Sequence, residues 1–375
     1  MNSKNIDNSM LRQSRFAPEF GRKMMESITP ERMREILPDD VARKIDKVII
    51  TGCGDSWLAG IAAKPAFDMI AGVKCEPLKN IDFTRHYRKE DLTDTTLVIG
   101  VSVSGTATRV IEAIERGNFN GCETLMVSNG PSALSMLEAK HALWCNMPEL
   151  EPSAGNCSYM GTTYGLISVA RRLGEVKGVI DNNFERNFNA YYDAWEAFLP
   201  ELEEKCLEVA QQIQGLHHIE MIGDGTGEGL AEFGAAKFVE MGGYCCSIEN
   251  AEDWCHINFF VRNVEDTPVF VCVDKDSPSF GRAVETTECA VRLGHKVFVV
   301  TDACPCAFEE GATVIQVPAS DIAYVKPLMM HIPFDMIAAL LCELDGVPPF
   351  RAFEGSQWRK EGVNGHTKDG KIVIL

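Results

Sequence analysis

A strand–turn–helix unit occurs twice in this chain at a nearly fixed spacing, and that duplication limits the fold more than any other feature. Lys47-Val48-Ile49-Ile50-Thr51 is a continuous apolar strand that runs into Gly52-Cys53-Gly54-Asp55-Ser56 and then an alanine-rich helical stretch, Trp57 to Ala71, with a kink expected at Pro65. His218-Ile219-Glu220-Met221-Ile222, beginning 171 residues after Lys47, runs into Gly223-Asp224-Gly225-Thr226-Gly227 and another helix. The next strands, counted from Asp94 and Asp266, are offset by 172 residues. An offset this constant marks a duplicated domain. Apolar strands alternating with helices require a parallel sheet covered on both faces. The expected fold class is therefore α/β: two three-layer αβα domains with parallel sheets, in tandem.

The remaining segments fit around these copies. The domains are expected at residues 46–181 and 215–347, joined by a polar helical linker over 182–214. Residues 1–45 read as a helical arm, with Thr29 as an N-cap followed by Pro30 at the first helical position. Residues 348–375 turn irregular and basic and read as a C-terminal tail, in which Arg351, Trp358, Arg359 and Lys360 could meet an acidic substituent or simply be solvated. The run Ile332 to Leu341 reads as a core helix.

Charge and cysteine usage narrow the setting. The 375 residues hold 54 acidic and 36 basic side chains, a net charge of −18. Such a body repels nucleic acid and anionic membranes, so neither is an expected partner. The start of the sequence has no apolar run resembling a signal peptide, and no stretch of about 18 uncharged apolar residues is evident. With 14 cysteines in a chain of this length, a reducing cytoplasm and mostly core cysteines are expected. Cys304-Pro305-Cys306, Cys245-Cys246 and His217-His218 lack the partners of a metal clip, so no metal is expected.

The chemistry should lie at the strand–helix turns. There, unpaired backbone N–H groups and the helix dipole favour an anion, and in open α/β sheets ligands bind at the carboxyl edge. The first copy offers two such turns, Cys53-Gly54-Asp55-Ser56 and Ser102-Val103-Ser104-Gly105-Thr106-Ala107-Thr108. Hydroxyls and amides could hold a phosphate without a basic patch. By spacing alone, the turns equally suit ordinary hydroxyl-capped connections. No phosphate-binding Walker loop is present, and Gly223, Gly225, Gly227 and Gly229 miss the dinucleotide spacing. Asp55 and Asp224 would repel a pyrophosphate. No cofactor is expected.

Gly52-Cys53-Gly54-Asp55-Ser56 through Ala59-Gly60, together with Ser102-x-Ser104-Gly105, resembles the sugar isomerase (SIS) domain. The tandem arrangement, over roughly residues 46–345, resembles the isomerase half of glucosamine-6-phosphate synthase and equally the stand-alone fructosamine-6-phosphate deglycases. In those double-SIS enzymes a helix glutamate precedes by sixteen residues a histidine in an acidic-x-x-His segment. Glu240 and His256, in Asp253-Trp254-Cys255-His256, keep that spacing. The resemblance implies that Glu240 and His256 are a catalytic acid/base pair, with Lys237 where the synthase carries a lysine. It implies a phosphosugar bound by Cys53, Gly54, Ser56, Ser102, Val103, Ser104, Thr106 and Thr108, and Lys368 or Lys371 as candidates for a Schiff-base lysine. It also implies a homodimer or higher homo-oligomer, in which the histidine segment can complete the neighbouring subunit's site.

The sequence departs from the family pattern in three places. Ile257-Asn258 replaces the usual Gly-Pro after the histidine. The family threonine of the second turn falls on Ala107, flanked by Thr106 and Thr108. No glutaminase portion is present, so ammonia from glutamine is not expected to be used.

Read alone, Lys237 and Glu240 at i and i+3 suit a surface salt bridge, and His256 a structural histidine. Apolar neighbours Phe233, Ala236, Phe238 and Val239 argue instead for a partly buried carboxylate able to move protons. The implied reaction is a 1,2-proton shift on an open-chain phosphosugar. With nitrogen on C1 the product imine hydrolyses, which is a deglycase acting on a fructosamine 6-phosphate. With nitrogen on C2 the same shift gives isomerisation or deamination of glucosamine 6-phosphate. A non-catalytic phosphosugar-binding regulator is the further alternative.

Overall fold

The computed structural model describes residues 6–350 and 370–375. In chain order, α1 (Ser9–Ser27), α2 (Pro30–Ile36) and α3 (Asp39–Lys44) precede β1 (Lys47–Gly52). Then come α4 (Asp55–Ala66), β2 (Lys74–Lys79), β3 (Thr96–Val101), α5 (Thr108–Phe119), β4 (Glu123–Ser128), α6 (Leu134–Glu138), β5 (His141–Trp144) and α7 (Cys157–Val176). After α8 (Phe184–Ile213) the second series runs β6 (His218–Gly223), α9 (Thr226–Gly242), β7 (Cys245–Glu249), α10 (Ala251–Trp254), β8 (Val269–Cys272), α11 (Phe280–Leu293), β9 (Val297–Thr301), β10 (Thr313–Gln316) and α12 (Ile332–Asp345). Of the described residues, 6–18, 150–156 and 190–350 form one compact unit, and 19–149, 157–189 and 370–375 form another.

Each unit holds one parallel five-stranded sheet. The strand orders, β2-β1-β3-β4-β5 and β7-β6-β8-β9-β10, are the same when copy is matched to copy. The central strands are apolar on both faces because helices cover both: Val48, Ile49 and Ile50 of β1 and Leu97, Val98 and Ile99 of β3 are fully buried. The sequence patterning marks three strands per copy; the structure has five. The additional β2, β5, β7 and β10 are short and include exposed or half-exposed positions, with Lys74 and Lys79 open to solvent at the two ends of β2. Such mixed composition hides an edge strand from an apolar-run criterion.

Local signals translate directly. Thr29 Oγ1 accepts from the Arg32 N–H at 3.3 Å and Pro30 opens α2. Pro65 sits in the last turn of α4, and the chain continues without a break as a wider π-helical turn, Phe67–Ala71, closed by Gly72 at φ 58°. Pro65 therefore precedes a widened turn, and the expected helical stretch to Ala71 holds. The segment Lys326–Asp345 is long and apolar enough to cross a membrane, with a mean hydropathy of 1.4, although Lys326, Asp335, Glu343 and Asp345 keep it from being an uncharged stretch. Its most apolar 18-residue window is 83% buried, and α12 supplies core residues such as Phe334, Ile337 and Leu341.

Seven of the fourteen cysteines are buried, including Cys75, Cys145, Cys157, Cys206, Cys272 and Cys342, so the expectation of mostly core cysteines holds for half of them; Cys53 and Cys245 are exposed. Cys304 and Cys306 depart from that expectation: both are exposed, and they are joined by a disulfide.

Candidate active site

Two turns leave the carboxyl ends of neighbouring strands β1 and β3, which pair in parallel with Thr51 opposite Gly100. In the first, Gly54 caps α4 at φ 54° and ψ −130°, a backbone region that residues with a Cβ avoid. Gly52 lets the strand end pack on the helix: a Cβ there would lie 2.7 Å from Ser56 Cβ. Buried Asn80 ties the turn together, accepting from Thr51 Oγ1 at 2.5 Å and donating to Cys53 Sγ at 3.5 Å. Burial pushes the Cys53 thiol up, and the Asn80 hydrogen bond opposes that only partly. Cys53 therefore stays an uncharged thiol at neutral pH and does not repel an anion.

The second turn is built from hydroxyls. Ser102 Oγ accepts from the Gly105 N–H at 3.1 Å, and Ser104 Oγ lies 3.0 Å from Thr106 Oγ1. Gly105, at φ 66°, packs so closely that a Cβ would lie 2.5 Å from Ala133 Cβ. The Val103 carbonyl is fixed by the Asn129 N–H at 2.9 Å. Ala107 caps α5 with no side-chain hydrogen bond, and the Val110 N–H donates to the Ala107 carbonyl at 2.9 Å, so the Thr108 and Arg109 N–H groups are the ones that could face an anion. Thr108 is 5% exposed, and its Oγ1 is buried with no hydrogen-bond partner among the described residues. An unsatisfied buried hydroxyl is costly.

The second copy reproduces the backbone of the first turn but not the chemistry of the second. Gly225 caps α9 at φ 58° and ψ −117°, close to Gly54. After β8, however, the loop carries Asp274 and Asp276, and β9 is followed by Asp302. Their carboxylates converge on buried Lys326, with Nζ 3.1, 2.7 and 3.0 Å from Asp274, Asp276 and Asp302. Hydrogen bonds from this ammonium hold Asp276 below the usual carboxylate range, against some burial. This edge is filled by the chain's own cation.

On α9, Lys237 is fully buried and its Nζ sits 2.6 Å from Glu240 Oε2 and 4.6 Å from the Phe233 ring centre. Phe233 in turn packs edge-on against His331, whose Nδ1 is 2.7 Å from Asp335 Oδ2. Glu240 is the more exposed member of its pair, at 41%. His256 is 65% exposed and pairs with Glu252 at 3.0 Å, which Arg282 also holds at 2.7 Å. The sixteen-residue spacing thus places Glu240 and His256 against separate partners, Lys237 and Glu252. Hydrogen bonding to His256 and the charge of Arg282 keep the Glu252 carboxyl below its ordinary range.

One further cluster adjoins the hydroxyl turn, in the same unit. Arg109, directly after Thr108, and Arg85 both pair with the fully buried Glu112 carboxylate. Arg109 also donates to the Lys371 carbonyl, and Arg85 to the Val373 carbonyl at 3.4 Å. A Cβ on Gly370 would lie 2.7 Å from the Arg109 guanidinium, the movable end of a flexible side chain. Lys371 therefore lies against the start of α5 through its backbone. Lys368, Arg351, Trp358, Arg359 and Lys360 lie outside the described residues.

The structure thus brings the eight expected phosphosugar-binding positions together at one sheet edge and joins Lys237 to Glu240. Sequence patterning missed Asn80, Glu112, Arg85 and Lys326, whose partners are distant in the chain. Only the Arg109–Glu112 spacing of three carried a local signal.

No family model matches the chain. The glutamine–fructose-6-phosphate aminotransferase (isomerizing) of Streptomyces coelicolor is 23% identical over 319 residues, 82% of this chain and 50% of that protein. The chain spans about half the length of such curated relatives. Among solved structures, the C-terminal domain of glucosamine-fructose-6-phosphate aminotransferase from Francisella tularensis superimposes with a TM-score of 0.80 at 15% identity, covering 93% of this chain and 99% of that one. Glucosamine-6-phosphate deaminase from Thermotoga maritima gives a TM-score of 0.69 at 15% identity, covering 92% and 97%. The chain thus has the fold of the C-terminal domain of glucosamine-fructose-6-phosphate aminotransferase, and its sequence is similar to about half the length of the curated aminotransferases.

Proposed function

We propose that the chain is a phosphosugar enzyme of the isomerase type that works without a cofactor, and that it deglycates a fructosamine 6-phosphate. The observation that carries the reading is the start of α5, where Ala107 makes no side-chain cap and which directly follows the hydroxyl turn of Ser102, Ser104 and Thr106. Such a turn suits a phosphate dianion in a protein of net charge −18. In this reading Cys53, Gly54, Ser56 and the Ser102–Thr108 turn take the phosphate end of the substrate. Glu240 moves the proton between C1 and C2, with Lys237 keeping the carboxylate oriented. His256 opens the sugar ring. Imine hydrolysis then releases glucose 6-phosphate and the free amine.

His256 has the exposure expected of a group serving a second subunit, and Ile257 and Phe260 beside it are 61% and 76% exposed. These features support a homodimer. A second reading, isomerisation or deamination of glucosamine 6-phosphate, draws support from the likeness to the Thermotoga deaminase and to the aminotransferases. A panel of fructosamine 6-phosphates, glucosamine 6-phosphate and fructose 6-phosphate separates them. Glucose 6-phosphate release supports the deglycase, and ammonia release the second reading. Tight binding without turnover of any would favour a regulator and overturn both.

A further inference from the structure

We propose that Cys304 and Cys306 form a surface dithiol–disulfide couple that exchanges with low-molecular-weight thiols, a modification site independent of the phosphosugar reading. The two sulfurs are bonded across a single intervening residue. Cys304, Pro305 and Cys306 are all exposed, whereas seven of the twelve other cysteines are buried. A disulfide closing so short a loop removes little chain entropy from the unfolded state, so it contributes least where structural disulfides contribute most. What such a bond does offer is access, because thiol–disulfide exchange requires an attacking thiolate to reach a sulfur along the bond.

The local geometry also distinguishes the two sulfurs. Cys304 is the N-cap of a single 3₁₀ turn, Pro305–Ala307, and its Sγ accepts the Cys306 backbone N–H at 3.3 Å. That N–H favours negative charge on Cys304, making it the better leaving group and, once reduced, the better thiolate. Exchange then runs in a defined order. A small thiolate attacks Cys306 Sγ, a mixed disulfide forms there, and the Cys304 sulfur departs with the electron pair. A second small thiol attacks the mixed disulfide, leaving two cysteine thiols and one small-molecule disulfide; the two small thiols supply both electrons and both protons. Pro305 fixes the backbone between the cysteines, so the reduced pair stays positioned to close again. The buried thiols cannot compete: burial pushes Cys145 up to about 12 and raises Cys75 and Cys272 as well.

The test uses the intact protein purified without thiol reductant, acid-quenched, alkylated and analysed by peptide mass. The peptide containing Cys304 and Cys306 should resist alkylation as isolated. It should become doubly alkylated after brief exposure of the folded protein to reduced glutathione, and close again in oxidised glutathione. Cys75, Cys145 and Cys272 should stay unlabelled until denaturation. Cys304→Ser should leave Cys306 alkylatable without reductant. Two outcomes overturn the proposal: free alkylation of both cysteines in the unreduced protein, or a bond that opens only after denaturation.

Discussion

Lys237 and Glu240 form a 2.6 Å ion pair in which the lysine is fully buried and the carboxylate keeps a face toward solvent. A carboxylate so held is oriented by a fixed charge yet remains reachable by a substrate. Glu240→Gln should lower turnover by about 10²–10⁴-fold while leaving phosphosugar binding in place. It should also cost about 1–3 kcal/mol of stability, because Lys237 loses its counter-charge. Kinetics and binding calorimetry on the same preparation check both; turnover near the wild-type value would remove Glu240 from the chemistry.

The hydroxyl turn makes a prediction about sign. Thr108→Val should leave the free protein as stable or slightly more so, because its Oγ1 has no partner to lose. Phosphosugar affinity should fall by about 1.5–3 kcal/mol, roughly ten- to a hundredfold. Ser102→Ala should instead destabilise the free protein, since Ser102 Oγ accepts from the Gly105 N–H. Melting curves with and without glucose 6-phosphate distinguish the two.

Lys326 and its three carboxylates set a pH dependence. Asp276 has a lowered folded pKa, so its contribution is present above the unfolded value of about 3.9 and is lost as pH falls below it. Lys326 is shifted upward, so its contribution is complete below about 10.4 and fades only at higher pH. The wild type should thus hold this stability across the neutral range and lose it in acid. Lys326→Met should cost about 3–5 kcal/mol at neutral pH. The variant should regain stability as pH falls toward 5, because protonation relieves three crowded carboxylates. Denaturant titrations at several pH values measure this, and parallel pH profiles for the two proteins would contradict it.

Gly54 and Gly225 occupy nearly the same strained backbone region, and an added Cβ would meet nothing within 4 Å at either. Gly54→Ala and Gly225→Ala should therefore each cost about 1–3 kcal/mol from backbone strain alone. The double variant should show near-additive losses. Chemical denaturation of the three variants decides whether the two turns are energetic duplicates.

The duplication was legible because a strand, a glycine turn and a helix recur at fixed offset, and β1, β3, β6 and β8 are apolar enough to stand out. The hydroxyl turn and the Lys237–Glu240 pair were legible for the same reason: each is local. The edge strands were not, because β2 mixes Lys74, Glu76 and Lys79 with Cys75 and Leu78. Lys326 was hidden for a different reason, since Asp274 lies 52 residues away and no periodicity links them. The pair Glu240 and His256 shows the converse limit. Their spacing is visible in the sequence, but their ionic partners, Lys237 and Glu252, become visible only in the fold.

The lysine at the second copy's sheet edge behaves as a tethered ligand. A cation delivered by the same polypeptide is present at an effective concentration that no dissolved amine or metal ion can match. The three carboxylates after β8 and β9 therefore keep a bound cation without drawing one from solution. The two copies share a backbone plan, but at the ends of β8 and β9 the second carries its own cation where the first carries hydroxyls.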